Sequence, residues 1–299
     1  MNLALPEIVH LSSASLRAAI ARRGAELVSL EYEGRPLLWH GDPTFWDRRA
    51  PLLFPVVGRS PGGNVAIDAR SYVMPAHGFA RDRMFDAQVF DDRSTRLVLD
   101  ADEATRASYP FAFRLSIDVA VEETRIVFAA SIANRGDRTM PFGFGYHPGF
   151  LWPVEPRERS CYVLRFEAQE DGAIRRADLE TGLLLPSRAE APLKGRTLAL
   201  EDALFEPGSL QFDEVRSRSV WFGPEGEAGL RIDFPDSPQL GIWTKPGAPF
   251  LCIEPWQGMA AEANGSPELA ARPGMRMLAP GEIATYRMTI AVGIRDPQA

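Results

Sequence analysis

The chain has 299 residues, 45% of them hydrophobic and 24% charged, which is an ordinary balance for a globular protein with a sizeable core. Its formal net charge of −7 argues against a nucleic-acid partner. Two cysteines, Cys161 and Cys252, cannot form a disulfide framework, and no apolar run approaches the roughly 18 residues of a membrane span. Because the start of the sequence also lacks a signal-peptide pattern, we expect a soluble cytoplasmic protein without a membrane partner.

Short apolar or alternating runs, separated by turn residues about every 8–12 positions, predict strands along the whole chain. In residues 113–119 apolar and polar side chains alternate cleanly, as in a strand with one buried face. The predicted strands cover residues 26–32, 96–99, 113–121, 125–132, 160–166, 219–222, 230–234 and 283–292. Turn sequences at 33–34, 134–137 and 223–226 predict hairpins that join neighbouring strands.

Helical signals are weak. Residues 178–184, 201–205 and 266–271 could form single turns or short helices, but no long stretch carries an apolar stripe of helical period. No repeat of 20–50 residues and no shift in composition divides the chain. We therefore expect one all-β domain over residues 1–299, a large antiparallel β-sandwich, with a frayed end after Gly293.

The segment 142–150 (FGFGYHPGF) contains one of only four histidines in the chain. Its glycines allow a ligand to approach the backbone, and Phe144 and Tyr146 offer flat aromatic faces. An imidazole titrates near neutral pH, so His147 is a candidate acid or base in a pocket suited to a sugar ring. The alternative is a core histidine whose hydrogen bonds are satisfied.

Glu254 ends an apolar run at 250–253 and is followed by Pro255 and Trp256. A carboxylate there is unfavourable unless it is paired or used, and desolvation would raise its pKa. We interpret Glu254 as a candidate base, and Trp256 as a ring on which a sugar could stack. A buried salt bridge to an arginine is the alternative.

Two further segments supply candidate binding groups. Residues 75–82 (PAHGFARD) carry His77, which could orient a hydroxyl, and Arg81, which could bind an oxygen or a phosphate. Arg59 ends the apolar run 54–58 and is a similar candidate. A structural Arg–Asp pair and a solvated loop arginine are the alternatives. No cluster with metal-ligand spacing, phosphate loop, nucleotide fingerprint or G-x-S-x-G elbow occurs, so we expect neither a metal nor a cofactor.

Taken together, these segments resemble the aldose 1-epimerase (galactose mutarotase-like) family, in its branch of LacX-type proteins and hexose-6-phosphate mutarotases. The matching segments follow the family order and are residues 77–81, 145–150, 200–205 and 243–247, the last running into 252–256. The resemblance implies a galactose mutarotase-like β-supersandwich and interconversion of the α and β anomers of an aldose. It also implies that His147 protonates the ring oxygen while Glu254 removes the proton of the C1 hydroxyl, without a cofactor.

The resemblance further implies that Arg59, His77 and Asp202 hold the sugar, although Glu201 next to Asp202 is an alternative. Galactose-specific members have a glutamine where this chain has Lys245. Lys245, Arg59 and Arg81 could therefore attract a phosphorylated or acidic sugar, so the expected partner is a small sugar or sugar phosphate, bound by a monomer or a homodimer.

Two other functions fit parts of this pattern. A non-catalytic carbohydrate-binding protein on the same sandwich would keep aromatic groups such as Trp256 and Tyr146, but it needs neither proton-transfer residue. A glycoside hydrolase calls for a pair of carboxylates about the scissile bond, whereas the best pair here is a histidine and a glutamate.

Overall fold

The computed structural model describes residues 7–154, 157–170 and 172–298. Strands dominate it, and the described residues contain one α-helix, α1 (Glu103–Arg106), and five short 3₁₀ turns. The 3₁₀ turns are Pro61–Gly63, Ala80–Asp82, Arg159–Cys161, Asp202–Phe205 and Leu269–Ala271. The strands are β1 (Ile8–Ser12), β2 (Leu16–Ala21), β3 (Glu26–Tyr32), β4 (Arg35–Pro36), β5 (Leu52–Leu53), β6 (Asn64–Ile67), β7 (Arg70–Val73), β8 (Asp86–Val89), β9 (Ser94–Asp100), β10 (Phe113–Val121), β11 (Arg125–Asn134), β12 (Met140–Phe142), β13 (Phe144–Tyr146), β14 (Gly149–Leu151), β15 (Tyr162–Phe166), β16 (Ala173–Ala177), β17 (Leu184–Glu190), β18 (Thr197–Ala199), β19 (Leu210–Phe212), β20 (Ser219–Pro224), β21 (Ala228–Asp233), β22 (Gln239–Trp243), β23 (Phe250–Gln257), β24 (Arg276–Leu278) and β25 (Ile283–Arg295).

Two large antiparallel sheets form the body of the fold. The nine-stranded sheet has the order β18-β15-β20-β21-β25-β11-β10-β9-β8, and the eight-stranded sheet has the order β17-β16-β19-β22-β23-β13-β5, with β14 also paired to β23. A four-stranded sheet, β1 to β4, and the ribbons β12-β24 and β6-β7 complete the described strands. The predicted all-β antiparallel fold is confirmed.

Aromatic side chains fill the core between the two large sheets. The Phe144 ring of β13 stacks on Tyr286 of β25, with centroids 5.4 Å apart, and Phe166 of β15 contacts Phe212 of β19. Tyr146 also points into this core, where its hydroxyl accepts from the Ala130 amide at 3.1 Å and donates to the Tyr286 carbonyl at 2.9 Å. The prediction that Phe144 and Tyr146 face a sugar is therefore wrong, because both side chains lie on the core face of β13.

The alternating pattern of residues 113–121 is confirmed as β10, whose side chains are buried at every second position. Among the predicted hairpin turns, 33–34 joins β3 to β4 and 223–226 joins β20 to β21. The turn at 134–137 makes no hairpin, because β12 leaves the sheet and pairs with β24. The Asn134 side-chain amide diverts the chain there by donating to the carbonyls of Arg138 and Leu278.

Residues 294–298 are ordered rather than frayed. Strand β25 continues to Arg295, and the next residue, Asp296, is buried and bound to Arg165 of β15. Residues 178–181 make a turn before β17 instead of a helix. No helix in the described part of the chain has the length and apolar character needed to cross a membrane.

Candidate active site

The site lies on the face of the eight-stranded sheet that points away from the aromatic core. Successive side chains of a strand point to opposite faces, so Ile253 enters the core while Glu254 and Trp256 project from the other face of β23. On β13 the same alternation sends Tyr146 inward and leaves Gly145 on the outer face, and His147 follows directly. The pairing of Gly145 with Trp256 brings the two segments side by side.

His147 and Glu254 form a close buried pair. The Nε2 atom of His147 lies 3.0 Å from the Oε2 atom of Glu254, and the residues are 8% and 2% exposed. Burial lowers the pKa of His147 to about 3 and raises the pKa of Glu254 well above its ordinary value. Both shifts favour the neutral form of the group concerned. A carboxyl group and an imidazole nitrogen thus stand within hydrogen-bond distance of each other.

Aromatic rings surround this pair. Trp46 lies against the His147 ring with centroids 5.0 Å apart, and Trp243 meets it edge-on at 6.1 Å. Neither tryptophan was among the predicted site residues. Trp46 lies in a loop whose sequence gives no distinctive signal. Trp243 could have been found, because it begins the segment 243–247 that matches the family.

Trp256 forms the floor of the site. A Cβ atom at Gly241 would lie 2.5 Å from the indole, and one at Gly145 would also lie 2.5 Å from it. The indole therefore lies flat across the strands on either side of β23, at positions that only glycine leaves open. Trp256 lines the cavity but is only 4% exposed, so little of the indole surface is accessible to a ligand.

His77 stands at the wall of the site in a turn of unusual backbone geometry. Its φ of 64° is rare for a residue with a side chain, and the next residue, Gly78, has a φ of 75°. The Gly58 amide donates to His77 Nδ1 at 3.1 Å, so the neutral ring carries its proton on Nε2. Burial, then repulsion by His147 when that ring is protonated and by Arg81, lower the pKa of His77 well below its usual value, which favours the neutral, hydrogen-bond-donating ring.

A buried arginine that the sequence did not reveal supports this wall. Arg272 donates to the Ser60 hydroxyl at 2.7 Å and to the carbonyls of Val57 at 2.6 Å and Met259 at 3.0 Å. Burial lowers its pKa to about 10. These bonds tie the turn that bears Arg59 to the segment after β23.

The predicted arginines both reach the cavity. Arg81 is held by a hydrogen bond to the Ala76 carbonyl at 2.7 Å, and burial together with the charge of Arg48 lowers its pKa. Arg59 is exposed, and its alkyl chain packs on Gly182, where a Cβ would lie 2.6 Å from its Cδ. Both residues therefore line the same cavity as the buried pair.

These residues enclose a cavity of about 290 Å³. Its polar and charged lining comprises eight described residues: Arg59, His77, Arg81, His147, Asp178, Ser209, Gln211 and Glu254. Gln211 was not predicted, since a glutamine in a short strand gives no distinctive signal.

Asp202 and Lys245 do not reach this cavity. The Asp202 carboxylate accepts from Arg159 Nη2 at 3.0 Å and from the Gly247 amide at 3.1 Å, on the outside of the fold. Lys245 is exposed, and its Nζ donates to the Thr44 carbonyl at 3.1 Å. Neither residue is among those that line the cavity, and Glu201 beside Asp202 is exposed as well.

Cys252 adds a thiol next to the buried pair. Its Sγ and one ligand atom each of His147 and Glu254 lie within 4.8 Å of one another, a grouping of potential metal ligands that the sequence did not predict. It arises because positions 252 and 254 share a face of β23. Burial, and then the charge of Glu254, raise the pKa of the Cys252 thiol, which opposes the thiolate that a metal requires.

Comparison with known proteins identifies the class to which this fold and site belong. The model of the aldose 1-epimerase family matches residues 7–291. The LacX proteins of Lactococcus lactis, plasmid and chromosomal, are each 28% identical over 295 residues, covering 94% of this chain and 99% of theirs.

Solved structures agree with this assignment. A galactose mutarotase-like protein from Lactobacillus casei superposes with a TM-score of 0.89 at 26% identity, over 95% of this chain and 99% of the other. A galactose mutarotase related enzyme from Lactobacillus acidophilus gives 0.85 at 26% identity, over 97% and 98%. The chain belongs to the aldose 1-epimerase family and is an isomerase of the mutarotase type.

Proposed function

We propose that the protein interconverts the α and β anomers of an aldose or aldose phosphate, with His147 as the acid and Glu254 as the base. His147 gives a proton to the ring oxygen while Glu254 takes the proton of the C1 hydroxyl, so the C1–O bond of the ring breaks and an aldehyde forms. After rotation about C1–C2, the ring closes on the other face of C1 with both transfers reversed. No cofactor takes part, since each step moves only a proton.

The contact between the two side chains carries this proposal. The 3.0 Å separation supports it, because it places a proton donor and a proton acceptor together at the cavity, as each half-reaction requires. These roles require the ionic form, with the proton on His147 Nε2, so the bound sugar has to offset the burial that lowers the pKa of His147 and raises that of Glu254. His77 donates its Nε2–H to a sugar oxygen, and Trp256 forms the floor under the ring.

Arg59 and Arg81 support the extension to sugar phosphates. Their guanidinium groups are cationic and line the cavity wall, which suits a phosphate or another anionic substituent. Free galactose remains in the proposed substrate set because the Lactobacillus casei relative is called galactose mutarotase-like. The family match over residues 7–291 supports our proposal that a single domain carries the activity.

The test is polarimetry of freshly dissolved α-D-glucose, α-D-galactose and α-D-glucose 6-phosphate, with and without the protein. We expect faster approach to anomeric equilibrium, and a loss of about 10²–10⁴-fold in kcat/KM for Glu254→Gln and for His147→Ala. Glu201→Gln, which makes the same chemical change at an exposed site outside the cavity, is the matched control and should keep full activity.

Full activity in Glu254→Gln would show that Glu254 is not the base. If no sugar is accelerated but one binds in calorimetry, the protein is a non-catalytic carbohydrate-binding member of the family. Better turnover of glucose than of glucose 6-phosphate would count against the phosphate-binding role of Arg59 and Arg81.

A further inference from the structure

Gln211 and Glu254 stand at opposite ends of one row across the sheet. Gln211 of β19 pairs with Gly241 of β22, and Gly241 pairs with Glu254 of β23. Directly paired residues of an antiparallel sheet share a face, so both side chains rise on the cavity side, with their Cα atoms about 10 Å apart, two strand spacings. Between them the Trp256 indole covers Gly241. A sugar ring that lies over Trp256 would have one edge near Gln211 and the opposite edge near Glu254.

The Gln211 amide is only half satisfied. The residue lines the cavity and is 5% exposed, and its Nε2 donates to the Ser209 hydroxyl at 2.9 Å. Its Oε1 is buried and finds no hydrogen-bond donor in the described part of the chain. Because buried amide oxygens are nearly always paired, this one lacks a donor that a ligand can supply. A sugar hydroxyl is such a donor.

We propose that Gln211 orients the substrate by accepting a hydrogen bond from a hydroxyl at C3 or C4, on the ring edge opposite C1. The anomeric carbon is thereby held beside His147 and Glu254. The inference rests on the proposed function, and it defines the substrate class further as aldopyranoses that carry a hydroxyl on that edge. The neutral amide adds no charge, so recognition of any anionic substituent is left to Arg59 and Arg81.

The first test compares two buried glutamines of the same sheet. Gln239 is also buried, but its Oε1 accepts from the Gly258 amide at 2.9 Å and its Nε2 donates to the Asp213 carbonyl at 3.2 Å. Gln211→Leu is expected to raise KM about tenfold while the urea midpoint stays the same or rises, because it removes an unpaired acceptor. Gln239→Leu should lower the midpoint and leave KM unchanged.

The second test identifies the hydroxyl with 2-deoxy, 3-deoxy and 4-deoxy analogues of the preferred sugar. Loss of the hydroxyl that Gln211 binds should raise KM of the unmodified protein about tenfold and cause no further rise in Gln211→Leu. Coupling to the 3- or 4-hydroxyl supports the inference. An unchanged KM in Gln211→Leu, fully additive effects, or coupling to the 2-hydroxyl alone would overturn it. Gln211→Ala serves equally if the leucine variant folds poorly.

These outcomes separate the two proposals. If the protein accelerates anomerisation and Gln211→Leu leaves KM unchanged, only the role of Gln211 fails. If no sugar is accelerated, the enzymatic proposal fails, and the same comparison is made with dissociation constants from calorimetry, using D-glucose, D-galactose and their deoxy analogues. Absence of sugar binding overturns both.

Discussion

The buried ion pair at the end of the chain permits a quantitative stability prediction. Arg165 binds Asp296 through two hydrogen bonds of 2.7 and 3.1 Å, and the two side chains are 4% and 1% exposed. The Asp296 carboxylate also accepts from the amides of Gly226 and Gln298. Asp296→Asn keeps the shape of the side chain. Among the described residues it leaves the buried guanidinium with one anionic partner, the exposed carboxylate of Glu225.

Breaking a buried pair costs about 3–5 kcal/mol, and we take about 3 kcal/mol because Glu225 still offsets part of the charge. For a chain of this length the unfolding entropy is about 0.6 kcal/mol/K, so the variant should unfold about 5 °C below the unmodified protein.

Asp118→Asn is the matched control. Arg96 binds Asp118 with the same two-fold geometry, at 2.6 and 2.9 Å, but the side chains are 46% and 38% exposed. Loss of this exposed pair should lower the free energy of unfolding by less than about 1 kcal/mol and the unfolding temperature by less than about 2 °C.

Scanning calorimetry and urea unfolding at pH 7 measure both variants. Burial raises the pKa of Asp296, but the hydrogen bonds of Arg165, Gly226 and Gln298 outweigh it, so the pKa is lowered overall. The stabilisation is therefore fully present above the unfolded pKa of about 3.9 and is lost as the pH falls through the lowered folded value. Equal shifts in the two variants, or a larger one in Asp118→Asn, would refute the argument from burial.

Two further predictions concern the site and its support. Burial lowers the pKa of His147 to about 3, so this histidine costs stability below its unfolded pKa of 6.5, and the cost disappears as the pH rises to that value. Burial raises the pKa of Glu254, so its protonated carboxyl group favours the folded protein at low pH, and this contribution is lost as the pH rises from the unfolded value of 4.5 through the raised folded value. The free energy of unfolding of the unmodified protein, relative to that of Glu254→Gln, should therefore fall as the pH rises above 4.5, by up to about 1.4 kcal/mol per pH unit. Urea titrations across this range measure the difference, and a constant difference would contradict the raised pKa of Glu254. Tyr146→Phe should cost about 1–3 kcal/mol in urea unfolding, because the Ala130 amide and the Tyr286 carbonyl lose their partner, yet polarimetry should find kcat and KM unchanged. A raised KM would show that Tyr146 does contribute to sugar binding.

Local patterns in the sequence identified the strands well. The two-residue alternation of 113–121 and the turn residues at 33–34 and 223–226 are set by neighbouring positions, and each predicted element formed as expected. The turn at 134–137 did not make a hairpin, because the hydrogen bond from Asn134 to Leu278 links positions far apart in the chain. The end after Gly293 was misjudged for the same reason, since its order depends on Arg165.

For the candidate site too, the sequence identified residues with a distinctive local setting and failed where long-range contacts decide. His147 and Glu254 were found because each stands in an unusual local setting, a histidine among glycines and a carboxylate ending an apolar run. Phe144 and Tyr146 were assigned to the same wall as His147, although alternate residues of a strand face opposite sides. Asp202 was predicted to bind the sugar because the short segment 200–205 matches the family. In the structure its carboxylate lies outside the cavity and accepts a hydrogen bond from Arg159.

The amino-acid sequence by itself determined the class of fold, the two proton-transfer candidates and the family resemblance, because these depend on residue type and near spacing. Only the tertiary structure decided which groups meet. The register of β13, β19, β22 and β23 brings His147 to within 3.0 Å of Glu254, lays Trp256 over two glycines and puts Gln211 in the same row as Glu254. Burial then sets the charges of the pair, since desolvation acts on a side chain only after distant strands have covered it.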